Sequence, residues 1–147
     1  MSFWVYKCND TDHPDQVVHG DWEHVFGARK PVEWGSTEYS SDLKKLAIGD
    51  LLIAYQTERN EVVGLAEVVQ FKPFGQYQRL YVQAVERFGV LLRPLKKIDA
   101  RIRAMDAFKA GPIRTIYPIT TSEAWHLIAV IKAQRQLQTL CVAKPRK

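Results

Sequence analysis

Cysteine is scarce in this sequence. Cys8 and Cys141 stand near opposite ends of 147 residues, with no CxxC or Cys/His spacing around either. That argues against a disulfide scaffold or a structural zinc site and fits a reducing, cytoplasmic setting. Long hydrophobic runs are also missing: stretches such as 127-LIAVI-131 are far too short to cross a bilayer as a helix, so no membrane association is expected. The N-terminal MSFWVYKCND has neither the basic nor the apolar region of a signal peptide. Acidic residues are the minority charge, 16 against 21 Lys and Arg, which leaves a net charge of +5 and a pI near 9.3. Such a field draws polyanions toward the surface without naming one.

What is present suits a single domain. The chain is 46% apolar and shows no repeat, linker or low-complexity run, so residues 1–140 are expected to form one globular unit with a real core. Residues 141–147, ending in 144-KPRK-147, read as a basic C-terminal tail able to add non-specific phosphate contacts. Residues 3-FWVYKC-8 read as a strand stopped by the turn formers 9-NDTDHP-14. Either a short helix or an irregular loop follows between Asp15 and Phe26. Ser41–Ala47 has helical spacing, with Ser40 or Ser41 as cap and Gly49 after its end. Leu51–Thr57 and Val62–Gln70, joined by 58-ERNE-61, have the pattern of a hairpin, and the first run, apolar on both faces, suits a central strand. The alternation in 79-RLYVQAVERF-88 predicts a half-exposed strand. Residues 96–110 place Ile98, Ile102, Met105 and Phe108 on one helical stripe, with a basic opposite face that is most simply a solvated surface. After Gly111-Pro112, 113-IRTIY-117 predicts a short strand stopped by Pro118. Thr120 and Glu123 form a capping box before a helix whose buried stripe is Ala124, Leu127, Ile128 and Ile131. Together these elements predict an α+β domain built round a strongly curved mixed sheet or open β-barrel with flanking helices.

The stretch 33-EWGST-37 sets an indole beside a glycine and two hydroxyls. An exposed indole can stack on an unpaired base, Gly35 would let a ligand edge approach the backbone, and Ser36 and Thr37 would add donors and acceptors. The plainer reading makes Trp34 a core aromatic. Read in order, 4-WVYKC-8, 34-WGST-37, 48-IGDLLIAYQT-57, 63-VGLAEVV-69 and 113-IRTIYPIT-120, with Trp125 early in the closing helix, resemble the EVE domain. That family belongs to the PUA-like superfamily and is related to YTH and ASCH domains. The segment 34-WGST-37 is also similar to the "WSST" loop of YTH domains.

The resemblance implies a non-enzymatic nucleic-acid-binding domain that captures one base of DNA or RNA, often a modified one, in an aromatic pocket and without a cofactor. By position it implies that Trp34 stacks on the base, that Lys7 and Cys8 stand where the family has Lys-Ser, and that Gly35 and Ser36 meet the base edge. It places Tyr55 and Gln56 on a strand facing the site and Arg114 at a phosphate. Asn9 is added as a short side chain able to reach a base edge, and Trp22, Phe71, Phe74 or Tyr77 as a second wall. Cys8 in place of Ser and Asn9-Asp10 in place of Glu-Pro depart from the family pattern, so ligand identity is not carried over. As a pocket wall, Trp34 should matter little to stability: Trp34→Ala is then expected to cost about 1–3 kcal/mol of binding and leave melting nearly unchanged. The alternative is a metal-dependent hydrolase using 12-DHPDQVVHGDWEH-24, with His13, His19 and His24 among Asp12, Asp15, Asp21 and Glu23. No HxxxH or HxH spacing supports it.

Overall fold

The computed structural model describes residues 1–9, 20–109 and 115–143. Six strands form one mixed sheet that does not close, in the order β2-β5-β4-β3-β1-β6. They are β1 (Phe3–Cys8), β2 (Val32–Ser36), β3 (Leu51–Gln56), β4 (Glu61–Phe74), β5 (Tyr77–Leu91) and β6 (Ile116–Ile119). β1 runs parallel to β3, with Cys8 beside Gln56, and antiparallel to β6. β3 is central, as its two-sided apolar run predicts. The helices are α1 (Glu23–Phe26), α2 (Leu92–Ile98), α3 (Ala100–Ala104) and α4 (Thr121–Ala143). Among the described residues, no helix is long and apolar enough to cross a membrane.

The period-two alternation of the strands divides the core into two layers. Phe3, Val5, Ile53 and Tyr55 point to one face, where Leu95, Ile102, Phe108 and the α4 stripe of Ala124, Leu127, Ile128 and Ile131 cover them. Tyr6, Leu52 and Ala54 point to the other, against Trp22, Val25, Trp34, Leu43 and Leu46. α1 reaches the sheet because position 64 is glycine: a Cβ there would overlap the Phe26 ring and the Glu86 carbonyl. The same glycine lies at a shift of register between β3, β4 and β5.

Several expectations are corrected. The two strands run on past their expected ends, and residues 71–78 form the outer arm of a long β4–β5 hairpin that turns at Gly75, whose φ is 61°. The helix expected over 96–110 is three pieces, because Asp99 leaves helical geometry and its carboxylate caps α3 at Ile102 N, 2.9 Å away. Ile102, Met105 and Phe108 are buried as the stripe requires, but Ile98 is 67% exposed. Ser41–Lys45 is a 3-10 turn rather than an α-helix, and no side chain caps it. Pro118 does not stop its strand but sits inside β6, opposite Trp4. An edge strand tolerates proline because one row of its backbone groups faces away from the ladder. The tail segment 144-KPRK-147 lies outside the described residues.

The closing helix starts as its sequence predicts. Thr120 N donates to Glu123 Oε1 at 2.9 Å, and Glu123 N donates to Thr120 Oγ1 at 3.0 Å. Thr120→Ala removes one arm of this box and should lower unfolding free energy by about 1 kcal/mol in a urea titration. An unchanged midpoint would mean that the tertiary packing of α4 alone fixes its start.

Candidate functional site: a closed aromatic cluster at the ends of β1 and β3

Trp34 enters the site from β2, next to a bulge between Glu33 and Ser36 where Gly35 takes a φ of 148°. A Cβ at Gly35 would stand 2.9 Å from Leu43 Cδ1 and 3.0 Å from the Tyr6 hydroxyl, so the backbone passes close under the cluster. The Tyr6 hydroxyl donates to the Trp34 carbonyl at 2.9 Å, and burial, with Cys8 nearby, pushes its pKa well above the usual tyrosine range. Trp22 packs on Trp34 with ring centroids 4.7 Å apart and planes tilted by 35°, and it meets Tyr6 edge-on at 5.2 Å. Trp22 is 0% exposed and Trp34 is 2% exposed. The indoles are in ring-to-ring contact and leave no slot between them for a third ring.

Two donors in this cluster lack partners. The Nε1–H groups of Trp22 and Trp34 are both buried, and neither has a hydrogen-bond partner among the described residues. A buried N–H left unmade costs about 1–3 kcal/mol, and native structures seldom keep two side by side without a reason. The Cys8 sulfur interacts with the Trp34 indole as a weak acceptor, too weak to count as a full partner for its N–H. Burial pushes the thiol pKa up; the indole offsets this in part, and the carboxylates of Glu58 and Asp21 add to it. Cys8 therefore remains a neutral thiol, a weak acceptor suited to packing and not to nucleophilic attack.

Polar contacts fasten Trp22 from below. Gln56, 0% exposed, accepts from Trp22 N at 2.9 Å and donates from Nε2 to Gly20 O at 2.8 Å and to Glu58 Oε1 at 2.6 Å. Arg59 grips Asp21 through two bonds of 3.0 and 3.1 Å, and its Nε donates to Glu61 at 3.1 Å. Burial alone would raise the Asp21 pKa, but the hydrogen bonds from Arg59 and from Glu23 N outweigh it and hold the carboxyl below the ordinary aspartate range. A depressed folded-state pKa contributes stability above the unfolded value, about 3.9, that is lost as pH falls through the folded one. Asp21→Asn should therefore flatten the acid limb of melting temperature against pH, below about pH 4, and leave the neutral limb parallel to wild type. Acid limbs of equal slope would show that the Arg59 pair adds nothing.

The expected site residues fall on both sides of the sheet. Trp34, Trp22, Cys8 and Gln56 share the cluster, with Gly35 beneath it. Lys7 and Tyr55 lie on the opposite face. The Lys7 ammonium sits 4.8 Å over the Tyr117 ring, and burial, then Lys96, lowers its pKa. Tyr55 meets Phe108 edge-on at 5.5 Å, and its hydroxyl accepts from Asn60 Nδ2 at 3.0 Å. Ser36 and Thr37 use their hydroxyls on the fold: Ser36 Oγ accepts from Glu38 N at 3.2 Å and Thr37 Oγ1 from Gln78 N at 2.9 Å. Asn9 is half-buried at the end of β1. Arg114, His13, His19, Asp12 and Asp15 lie outside the described residues, while Asp21 and Glu23 are engaged by Arg59 and Arg87. No group of three or more potential metal ligands occurs among the described residues. Sequence reasoning missed Tyr6 and Arg59. Tyr6 could have been found from alternation, because it shares a strand face with Cys8.

No protein-family model and no curated protein matches this sequence. Solved structures do match. The DUF55 domain of human thymocyte nuclear protein 1 superposes with a TM-score of 0.66 at 16% identity, covering 88% of this chain and 98% of that one. A hypothetical protein from Leishmania major gives 0.66 at 17% identity over 92% and 97% of the two chains. An NMR structure from Rhodopseudomonas palustris gives 0.64 at 20% identity over 89% and 92%. The chain shares the fold of these structures, an open mixed sheet flanked by helices. Its sheet is open at the β2 and β6 edges, and the aromatic cluster lies on the face that α1 and the 3-10 turn cover.

Proposed function

We propose that the protein is a non-enzymatic, nucleic-acid-binding domain of EVE type, and that it captures one base against Trp34. The observation that carries the reading is the pair of buried indole donors, Trp22 Nε1 and Trp34 Nε1, which have no strong acceptor among the described residues and lie beside a neutral thiol. A base edge offers the ring nitrogens and carbonyls that such donors lack. Trp22 now occupies a face of Trp34, so capture exchanges one stack for another: Trp22 yields that face and a base takes it. The gain then comes from the base edge and from hydration of the Trp22 Nε1–H, set against the cost of exposing the Trp22 ring, which keeps discrimination in the edge contacts. That arrangement suits recognition of a modified base, since a methyl or an altered edge changes the hydrogen bonds more than it changes the stack. The fold supports the reading by analogy only, and the net charge of +5 favours a polyanionic partner.

The test is a binding screen over single-stranded DNA and RNA oligonucleotides carrying unmodified and modified bases, with tryptophan emission as the signal. One modified base should bind at least tenfold more tightly than its parent, with a change in emission that Trp34→Phe diminishes. Equal, emission-silent binding of every oligonucleotide would leave a basic surface and remove the base site.

A further inference from the structure

The outer arm of the β4–β5 hairpin carries cations and rings on the sheet face opposite Trp34. Register sets Lys72 directly against Arg79 and Phe74 against Tyr77. Like charges opposed across two strands destabilise the pair, yet these cations are kept on exposed chain. Each is drawn onto a ring: the Arg79 guanidinium lies 3.6 Å from the Phe74 centroid, and the Lys72 ammonium 4.5 Å from that of Tyr81. Arg79 also bonds Glu33 at 3.1 Å, whereas Lys72 makes no ion pair among the described residues. Residues 72–76 are exposed throughout, and Phe74 shows 47% of its surface.

We propose that this ladder docks a single strand of nucleic acid, separately from the Trp34 site. Lys72 would meet a phosphate, and Phe74, backed by Arg79, would serve as the platform for an unpaired base. A cation beside an open ring, repeated along one face, matches a chain that alternates phosphate with flat base. A duplex offers the phosphates but keeps its bases stacked inside, and an acidic peptide offers charge without regularly spaced rings. The inference rests on the nucleic-acid part of the reading above and not on base capture.

The experiment uses the full chain and the double variant Lys72→Ala/Phe74→Ala, both exposed positions outside the two cores. Anisotropy is read with labelled single strands of about 12 nucleotides, a length within the site sizes typical of such grooves. The same sequence as duplex, a poly-glutamate peptide and free nucleosides are compared. Wild type should prefer the single strand. The variant, at an unchanged melting temperature, should lose about tenfold in affinity, and its slope of log K against log salt should fall by about 0.7. Single-strand affinity retained by the variant, equal binding of duplex or poly-glutamate, or no wild-type binding to any strand each overturns the ladder. The two sites separate cleanly. Binding of strands without response to any nucleoside removes base capture and keeps the ladder, while a nucleoside response with full strand affinity in the variant does the reverse.

Discussion

Trp34→Ala should lower folding stability by about 3–5 kcal/mol, the range for emptying a large aromatic site in a close-packed interior. This replaces the expectation from sequence that melting would hardly change. The ring is 2% exposed and rests on Trp22, and its own carbonyl is tied to Tyr6. There is little room for the chain at Gly35 to close the void, since even an added Cβ there would stand 2.9 Å from Leu43 Cδ1 and 3.0 Å from the Tyr6 hydroxyl. Urea unfolding with an unchanged m-value reads the loss directly. Trp34→Phe should cost much less, because it keeps a ring and deletes an unpartnered N–H. That difference matters for function. The alanine variant confounds binding with unfolding, and only the phenylalanine variant isolates the contribution of the indole to a ligand. A loss below about 1 kcal/mol in Trp34→Ala would place it in the ordinary surface range and show that the cluster is open in solution.

Asp50→Ala should cost about 3 kcal/mol, as one carboxylate serves three donors. Asp50 is 4% exposed; Oδ1 accepts from Ser2 N at 2.9 Å, and Oδ2 accepts from Trp4 Nε1 at 3.0 Å and Ala47 N at 2.9 Å. These bonds tie the start of β1 to the turn before β3, and Leu51 N adds a fourth tie by donating to Ser2 O at 2.9 Å. Removing the acceptor strands the Trp4 indole and the Ala47 amide, while Ser2 recovers water. Asp50→Asn, which keeps one acceptor oxygen, should fall between. Equal stability of Asp50→Ala and wild type would mean that the parallel β1–β3 pair carries this corner unaided.

Much of this fold could be read from alternation and caps. The two-sided run in β3 predicts a central strand, and the box of Thr120 and Glu123 predicts the start of α4, because both signals are local. Non-local features escaped. The break at Asp99 needs a side chain that competes with the helix for its own backbone, and the burial of Trp34 depends on Trp22 arriving from a distant segment. Pro118 stayed in its strand because β6 turned out to be an edge. Of the candidate residues, Trp34, Trp22, Cys8 and Gln56 lie in one cluster, whereas Lys7 and Tyr55, grouped with them by family position, lie on the other face of the sheet. Counting residues along β1 and β3 separates these, since Lys7 alternates with Cys8 and Tyr55 with Gln56. Arg59 carried no signal, as its partner Asp21 lies far away in sequence.

The most direct measurement follows the tryptophan indole N–H resonances in ¹H–¹⁵N spectra, assigned with Trp22→Phe and Trp34→Phe, during titration with single-stranded oligonucleotides bearing modified bases. Capture against Trp34 requires the Trp34 resonance to shift as a base replaces Trp22 on its face, and the Trp22 resonance to move toward the position of a solvated indole. Both resonances staying fixed while the oligonucleotide binds would contradict it.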